Sequence, residues 1–543
     1  MTTTAQHDVT GFPAPASSPQ LSGHAAPRRR WWALACLCVS LVLITANNSS
    51  LNVNLPVLQR ALGSSNSGLQ WIVDAYSLVF AGLLLPAGAL ADRYGRKTAL
   101  QFGLVVFGGG SSVAMFATTT GQLIACRAVM GAGAAFIMPG TLSILSNIFP
   151  NHERGRAIAI WAAFAGFGGV LGPITSGWLL EHFYWGSAFA INVPIVTLAL
   201  GAGLVLLPNS KDPDDTTLDP LGVVLVVTGL VAFLYGIIDG PEQGWLSPTI
   251  VVALLVGVGL LVAFIRWELA NPRPMLDIHL FRTRSFAIGS GTITMQYFAL
   301  FGFLFVFSQY LELAKGFTPL QAALAQLPIG LLVLVGAPLS NRMVNRFGPR
   351  AVVASGLLLT ATGFTVLATT RAGTSVLVIV AAEVLIGLGL GQTTAPSTTL
   401  IMTSVPTSKA GVGSAVNDLS RELGGALGIA VLGSLVNAVY RSKIDVHLPP
   451  GLTGRLAADA HHSVADILLD VTNPRLHVAS GLATQLVDAV RFTFADAFGI
   501  AMLGGAGMLV ACAAMVWKFQ HHHTETPARA ADLRAVPAAC TSD

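Results

Sequence analysis

The chain has 543 residues, of which 53% are hydrophobic and only 10% charged, with a net charge of +4 and a mean hydropathy of +0.67. A soluble globular domain carries about a quarter charged residues. This composition therefore excludes a soluble enzyme or binding module and leaves a polytopic membrane protein. The basic residues sit in short interhelical segments and form no single face, which argues against a nucleic-acid partner. Five cysteines fall in or beside apolar runs or in the tail without metal or disulfide spacing, and read as small core residues.

Residues 1–30 form an N-terminal tail, rich in Pro, Ser, Thr and Ala through residue 27 and expected to be disordered. Arg28-Arg29-Arg30 then precedes an apolar run too long for a signal peptide. Spans are expected at 32–54, 69–91, 98–118, 121–147, 156–180, 187–207, 220–239, 248–267, 286–311, 320–341, 350–370, 374–400, 411–440 and 497–518. Fourteen is even, so both ends of the chain share a side. With that side inside, inner segments hold 20 cations and outer segments 8, of which 5 lie in the long segment 441–496. Long loops count little in the positive-inside rule, so cytoplasmic termini are expected. Within 441–496, Leu482, Leu486, Val490 and Phe494 recur every four residues and predict an amphipathic helix on the outer surface.

Between the second and third spans stands Gly88-Ala89-Leu90-Ala91-Asp92-Arg93-Tyr94-Gly95-Arg96-Lys97. It packs a carboxylate, three cations and two glycines into one turn. Asp92, Arg93, Arg96 and Lys97 are placed to pair with neighbouring helix ends or carboxylates and to gate the inner side.

The sequence also repeats itself. Arg127-x-x-x-Gly131-x-Gly133 matches Glu383-x-x-x-Gly387-x-Gly389, and Gly168–Gly172 matches Gly424–Gly428, both at an offset of 256 residues. The turn at 88–97 has a decayed copy, Asn345-Arg346-Phe347-Gly348-Pro349-Arg350, at an offset of 253. The expected organisation is a six-helix half over 31–207, an insertion with two helices over 208–285, and a second six-helix half over 286–518. A cytoplasmic tail follows from 519 to 543.

Ionisable groups inside spans are costly and point to function. Counting residues along the spans puts Asn47, Asp74 and Arg127 at one level of the outer half. An Asp74–Arg127 pair is expected there, read either as a proton switch or as a permanent ion pair. Asp418, Arg421 and Glu422 crowd one and a half turns of the thirteenth span beside Asn417, and two carboxylates there compete for one guanidinium. Glu383 is the repeat mate of Arg127 and is expected to pair across the cavity or to titrate with substrate. Proton-coupling candidates are thus Asp74, Asp418, Glu422, Glu383, Arg127 and Arg421. Substrate-cavity candidates are Asn47, Asn54, Asp74, Glu383 and Asn417. Gly168, Gly172, Pro173 and Gly177 mark the fifth span as a close-packing or bending helix. There is no nucleophile–base set, metal spacing or cofactor motif. An enzyme, a metal and a cofactor are not expected.

The turn 88–97, Arg127–Gly133 and Gly168-x-x-x-Gly172-Pro173-x-x-Ser176-Gly177 together resemble the major facilitator superfamily, and over 31–518 its fourteen-span drug:proton antiporters of the EmrB/QacA type. The resemblance implies an all-α membrane fold of two pseudo-symmetric six-helix bundles plus two inserted central helices. It also implies a monomer in the cytoplasmic membrane that exports amphipathic, often cationic, small molecules in exchange for protons by alternating access. An exporter of a lipid or cell-envelope precursor, uncoupled from protons, is the alternative. The family's first span carries an acid where this chain has Asn47. Coupling is then expected at Asp74, or at Asp418 and Glu422, or is absent.

Overall fold

The computed structural model describes residues 27–208, 219–405 except 273, 275 and 277, 410–449, a few isolated positions in 452–468, and 480–519. The expected disordered tail 1–26, most of the segment 450–479 and the tail 520–543 lie outside the described residues, as do the side chains of Asp92 and several residues of 151–166. Every described regular element is helical. In hydrocarbon each backbone donor and acceptor must be satisfied within the segment, which helices achieve.

The first half comprises α1 (Pro27–Leu62), α2 (Asn66–Tyr94), α3 (Arg96–Ala114), α4 (Thr120–Ile148), α5 (Asn151–His182), the single turn α6 (Ser187–Ala190) and α7 (Asn192–Leu206). The inserted pair is α8 (Pro220–Gln243) and α9 (Pro248–Ala270). The second half comprises α10 (Arg284–Gln309), α11 (Pro319–Ala325), α12 (Leu327–Ala368), α13 (Val376–Thr403), α14 (Ala410–His447) and α15 (Ser480–Phe519). All fourteen expected spans fall on helical segments, with α6–α7 making the sixth and α11–α12 the tenth and eleventh. Among the described residues, eleven helices are long and apolar enough to cross a membrane.

Local chemistry sets the ends. Ser65, Thr119 and Ser247 accept a backbone N–H in the first turn of α2, α4 and α9. Thr318 and Gln321 form a reciprocal capping box on α11, with Pro319 at its first position. Gly95 (φ 116°) ends α2, and Gly348 (φ 79°) turns α12 in the middle. The two glycines stand at the 253-residue offset of the repeated turn, and only glycine takes this left-handed region readily.

The sequence repeat is a packing repeat. A Cβ at Gly131 would strike the Tyr76 carbonyl of α2, and one at Gly387 the Ile329 carbonyl of α12. Gly133 lies against Gly103 of α3, and Gly389 against Gly356 of α12. Gly172 and Gly428 meet the carbonyls of Ala46 in α1 and Phe298 in α10. Each half therefore closes its bundle by backbone-to-backbone approach at corresponding places.

One element departs from expectation. Leu482, Leu486, Val490 and Phe494 do lie on a helix, but it is continuous with the last span. Leu486, Val490 and Phe494 are buried in the protein core instead of facing a surface. The four-residue spacing reports one apolar face and does not tell protein from membrane.

Gly131→Val and Gly387→Val should each destabilise the protein by about 1–3 kcal/mol, the scale of overpacking. Gly109→Val, where nothing lies within 4 Å, should not. Thermal unfolding of the purified protein in detergent measures this, and a Gly131→Val variant melting with wild type would contradict the close approach.

Candidate transport site

The halves meet tightly at the end that carries the α1–α2 turn. There Asn66 Nδ2 donates to Asn437 Oδ1 at 3.4 Å, and Ser434 Oγ donates to Gln70 Oε1 at 3.4 Å, both joining α2 to α14. Gly177 of α5 fits against the backbone of Pro319 and Leu320 at the start of α11. The inserted helix α8 lies over the α2–α14 seam. Trp71 Nε1 of α2 donates to Asp239 Oδ2 at 3.1 Å, and Ser434 Oγ of α14 to the Ile237 carbonyl at 2.9 Å. Leu78, Leu230, Leu234, Ile238, Ala426 and Ala430 fill the junction of the three helices.

Beneath this closure lies a cavity of about 350 Å³ between the halves. From the first half it is lined by Thr45, Asn48, Ser49 and Asn52 of α1, Val73 and Ser77 of α2, and Val170 and Pro173 of α5. From the second it is lined by Tyr297, Leu300, Phe301 and Leu304 of α10, Gln326, Ile329 and Leu390, and Arg421 and Glu422 of α14. Apolar and aromatic walls with a few polar groups are the make-up of a small-molecule site.

Within the cavity, the Arg421 guanidinium lies 5.4 Å from the Tyr297 ring centroid, and Arg421 Nη1 is 3.8 Å from Asp418 Oδ1. Ser77 of α2 hydrogen-bonds Glu422 across the seam. Asn417 does not line the cavity. It accepts from Thr398 Oγ1 at 3.0 Å and braces Asp418 with its amide at 3.4 Å.

The expected Asp74–Arg127 pair is not formed. Arg127 is fully buried, donates from Nε to the Ile72 carbonyl at 3.1 Å and lies 4.3 Å from the Tyr76 ring centroid. Ile72 and Tyr76 share one face of α2, while Asp74, two residues from each, points to the opposite side. That side carries Gln70, Trp71, Ser77 and Leu78, and faces α14 and α8. Asp74 is fully buried there, and among the described residues neither carboxylate oxygen has a hydrogen-bond partner.

The other expected cavity residues also lie elsewhere. Asn47 accepts from Asn192 Nδ2 at 3.1 Å and lines a separate pocket of about 90 Å³ inside the first half. Asn54 accepts from Ser176 in the α1–α5 seam. Glu383 is fully buried in α13, with neither oxygen hydrogen-bonded among the described residues. Gly168 and Gly172 pack on α1 as the small-residue pattern predicts, and Pro173 faces the cavity.

In the turn at 88–97, Lys97 Nζ donates to the Leu204 carbonyl at 2.8 Å and Arg29 Nη2 to the Val205 carbonyl at 2.7 Å, so two cations cap the C-terminus of α7. Arg93 stacks 5.6 Å from Tyr94, and Gly88 lies beside Pro139. Asn48, Asn52, Gln326 and Tyr297 were not singled out from sequence. Thr45, Asn48, Ser49 and Asn52 form a polar stripe at helical spacing on an apolar helix, which was the available signal.

This geometry defines a class: a helical membrane transporter of two repeated halves around a central binding cavity. The chain matches the model of the Major Facilitator Superfamily over residues 37–429. It is 36% identical over 491 residues to the multidrug efflux pump LfrA of Mycolicibacterium smegmatis, covering 90% of this chain and 96% of LfrA. It is 34% identical over 491 residues to the methyl viologen resistance protein SmvA of Salmonella typhimurium, covering 90% and 98%. To the tetracenomycin C resistance and export protein of Streptomyces glaucescens it is 29% identical over 517 residues, covering 94% and 95%. Among solved structures it is similar to an inward-facing, unoccupied bacterial homologue of the lysosomal transporter Spinster, with a TM-score of 0.63 at 16% identity, covering 93% and 100%. The peptide-transporter-family member PepTSo gives 0.60 at 15% identity, covering 94% and 99%. The protein belongs to the Major Facilitator Superfamily.

A lipophilic monocation such as tetraphenylphosphonium, titrated against purified protein, separates the two sets of residues. Glu422→Gln and Tyr297→Ala should weaken its binding about tenfold or more, the scale of losing one charged or cation–π contact. Asn54→Ala and Glu383→Gln should stay within about twofold. Equal losses in all four would contradict a site confined to this cavity.

Proposed function

We propose that this protein is a proton-coupled exporter of amphipathic, chiefly cationic, drug-like compounds across the cytoplasmic membrane, working by alternating access. The observation that carries the reading is the cavity between the halves, with aromatic walls and the adjoining Arg421 and Glu422. Similarity over nine-tenths of the chain to proteins named for multidrug efflux supports the substrate class. Both chain termini are assigned to the cytoplasm from the cation count, so the α1–α2 turn faces outward and the state described is closed to the outside. The protein acts as a monomer.

Coupling is assigned first to Asp74. In the closed state its carboxyl is fully buried in the seam, with no hydrogen-bond partner among the described residues. An ionised carboxylate there carries a penalty of several kcal/mol. Carrying a proton removes that penalty, and parting α2 from α14 wets the group and lets the proton leave. Glu422, within the cavity and bonded to Ser77 of α2, is the second site, where a cationic substrate competes for the carboxylate. Asp418 serves by holding Arg421. Asn47 stays neutral, so the first span carries no proton.

Dye efflux from cells lacking their own pumps tests this, with wild type and Asp74→Asn compared at equal expression, with and without a protonophore. Wild-type efflux should fall to the vector-only rate with the protonophore and in Asp74→Asn. Efflux that survives both removes the proton and Asp74 from the mechanism. No efflux of any amphipathic dye favours the alternative, an exporter of a lipid or cell-envelope precursor.

A further inference from the structure

Arg421 and Glu422 are consecutive on α14, and both line the cavity between the halves. A site for a simple cation has a use for Glu422 and none for Arg421, whose fixed positive charge repels such a ligand. The Arg421 side chain is 29% exposed. Tyr297 flanks the guanidinium, with its ring centroid at 5.4 Å. The nearest carboxylate, Asp418, stands 3.8 Å from Nη1, which is beyond hydrogen-bond reach, so that contact is electrostatic only. Among the described residues no acceptor takes a hydrogen bond from the guanidinium, and its Nε is buried without one. Glu422 is bonded instead to Ser77 of α2. A guanidinium carries five N–H donors in a rigid fork, and buried donors rarely go unpaired.

We infer that Arg421 is the acceptor-binding half of a dipolar ligand site. The preferred ligands are aromatic amphiphiles that carry a cation and, within a few bonds of it, a strong hydrogen-bond acceptor such as a carboxylate. The inference rests on the export reading above and narrows its substrate class. Glu422 takes the cationic end and Arg421 the acceptor end. Adjoining residues of a helix diverge by about 100°. The two side chains therefore enter the cavity from one helix edge, and suit ligand groups that lie side by side better than groups at opposite poles. A ligand carboxylate displaces no bonded partner of Arg421, because Asp418 balances its charge without a hydrogen bond. A direct charge-assisted bond from the fork is the stronger contact. Tyr297 and Phe301 supply aromatic wall, and Asn48, Asn52 and Gln326 supply amides that serve a donor or an acceptor equally. A pure cation gains Glu422 alone and meets Arg421 as a repulsion, so selectivity has an attractive and a repulsive element.

A matched pair of dyes tests the site. One is a rhodamine with a free carboxylate, dipolar at neutral pH. The other is its methyl ester, a monocation with the same ring system. Binding of each to the purified protein is followed by fluorescence polarisation. Wild type should bind the free acid about threefold or more tighter than the ester. Arg421→Gln should weaken the free acid about tenfold or more, the scale of one charge-assisted contact, and move the ester by less than about threefold. Asp418→Asn, which frees Arg421 of its competing carboxylate, should widen the preference for the free acid, and it decides the matter if Arg421→Gln does not fold. A wild type that prefers the ester or binds neither dye overturns the dipolar site. So do equal effects of Arg421→Gln on the two dyes, or an unchanged preference in Asp418→Asn. Efflux of both dyes is measured from cells expressing the same proteins. Acid-selective binding that depends on Arg421, without protonophore-sensitive efflux, sinks the export reading alone. Protonophore-sensitive efflux with binding indifferent to Arg421 sinks the dipolar site alone.

Discussion

Backbone contact at glycine is the constraint on which this structure depends. Within hydrocarbon, apolar side chains gain little by leaving lipid for protein, so helices associate through close van der Waals approach. Gly131 against the Tyr76 carbonyl and Gly387 against the Ile329 carbonyl bring α4 to α2 and α13 to α12 with no side chain between. Gly172 on α1 and Gly428 on α10 do the same one helix further round. Each half is thereby a tightly closed bundle, and the seams between halves are left as the surfaces that can part.

Those seams are built from different material. Between α2 and α14 the contacts are long amide and hydroxyl hydrogen bonds, between α1 and the turn after α10 the Arg60–Glu312 ion pair, and between α5 and α11 one glycine on a helix start. Such contacts are individually weak, and at the α2–α14 seam they stand beside the apolar cluster of Leu78, Ala426 and Ala430. The inserted helix α8 bonds to both α2 and α14 at one level and buries the seam that contains Asp74. Its position keeps that acid away from solvent while α2 and α14 lie together.

The cavity's polar groups divide between the halves. The first half offers neutral Asn48, Asn52 and Ser77, while the second offers Arg421 and Glu422 from adjoining positions of one helix. A ligand held there touches both halves, which is the physical requirement for coupling its binding to their relative movement. Arg127 and Glu383, equivalent by repeat, are both fully buried outside the cavity wall. Arg127 ties α4 to a carbonyl and a ring of α2, a structural use of a buried charge.

Much of the fold was legible in the sequence because it rests on local quantities. Apolar run length gives the spans, the cation count gives an expected orientation, and glycines repeating at 256 residues give two equivalent bundles. The turn around Gly95 and its copy at Gly348 carry the backbone conformation that only glycine favours. The site was legible in part. Arg421 and Glu422 stand out as charges in an apolar span, and both line the cavity. Asn47, Asn54, Asp74, Glu383 and Asn417 stand out as strongly but face other seams. Depth in the membrane follows from residue count alone. Which way a side chain points depends on the rotation of its helix against its neighbours, and that is why Asp74 and Arg127 share a level without meeting. The sequence by itself determined that the chain is a helical membrane protein, where its helices turn and which of them are equivalent. Tertiary structure decided which polar groups meet, because helix rotation and packing are fixed by contacts between residues hundreds of positions apart.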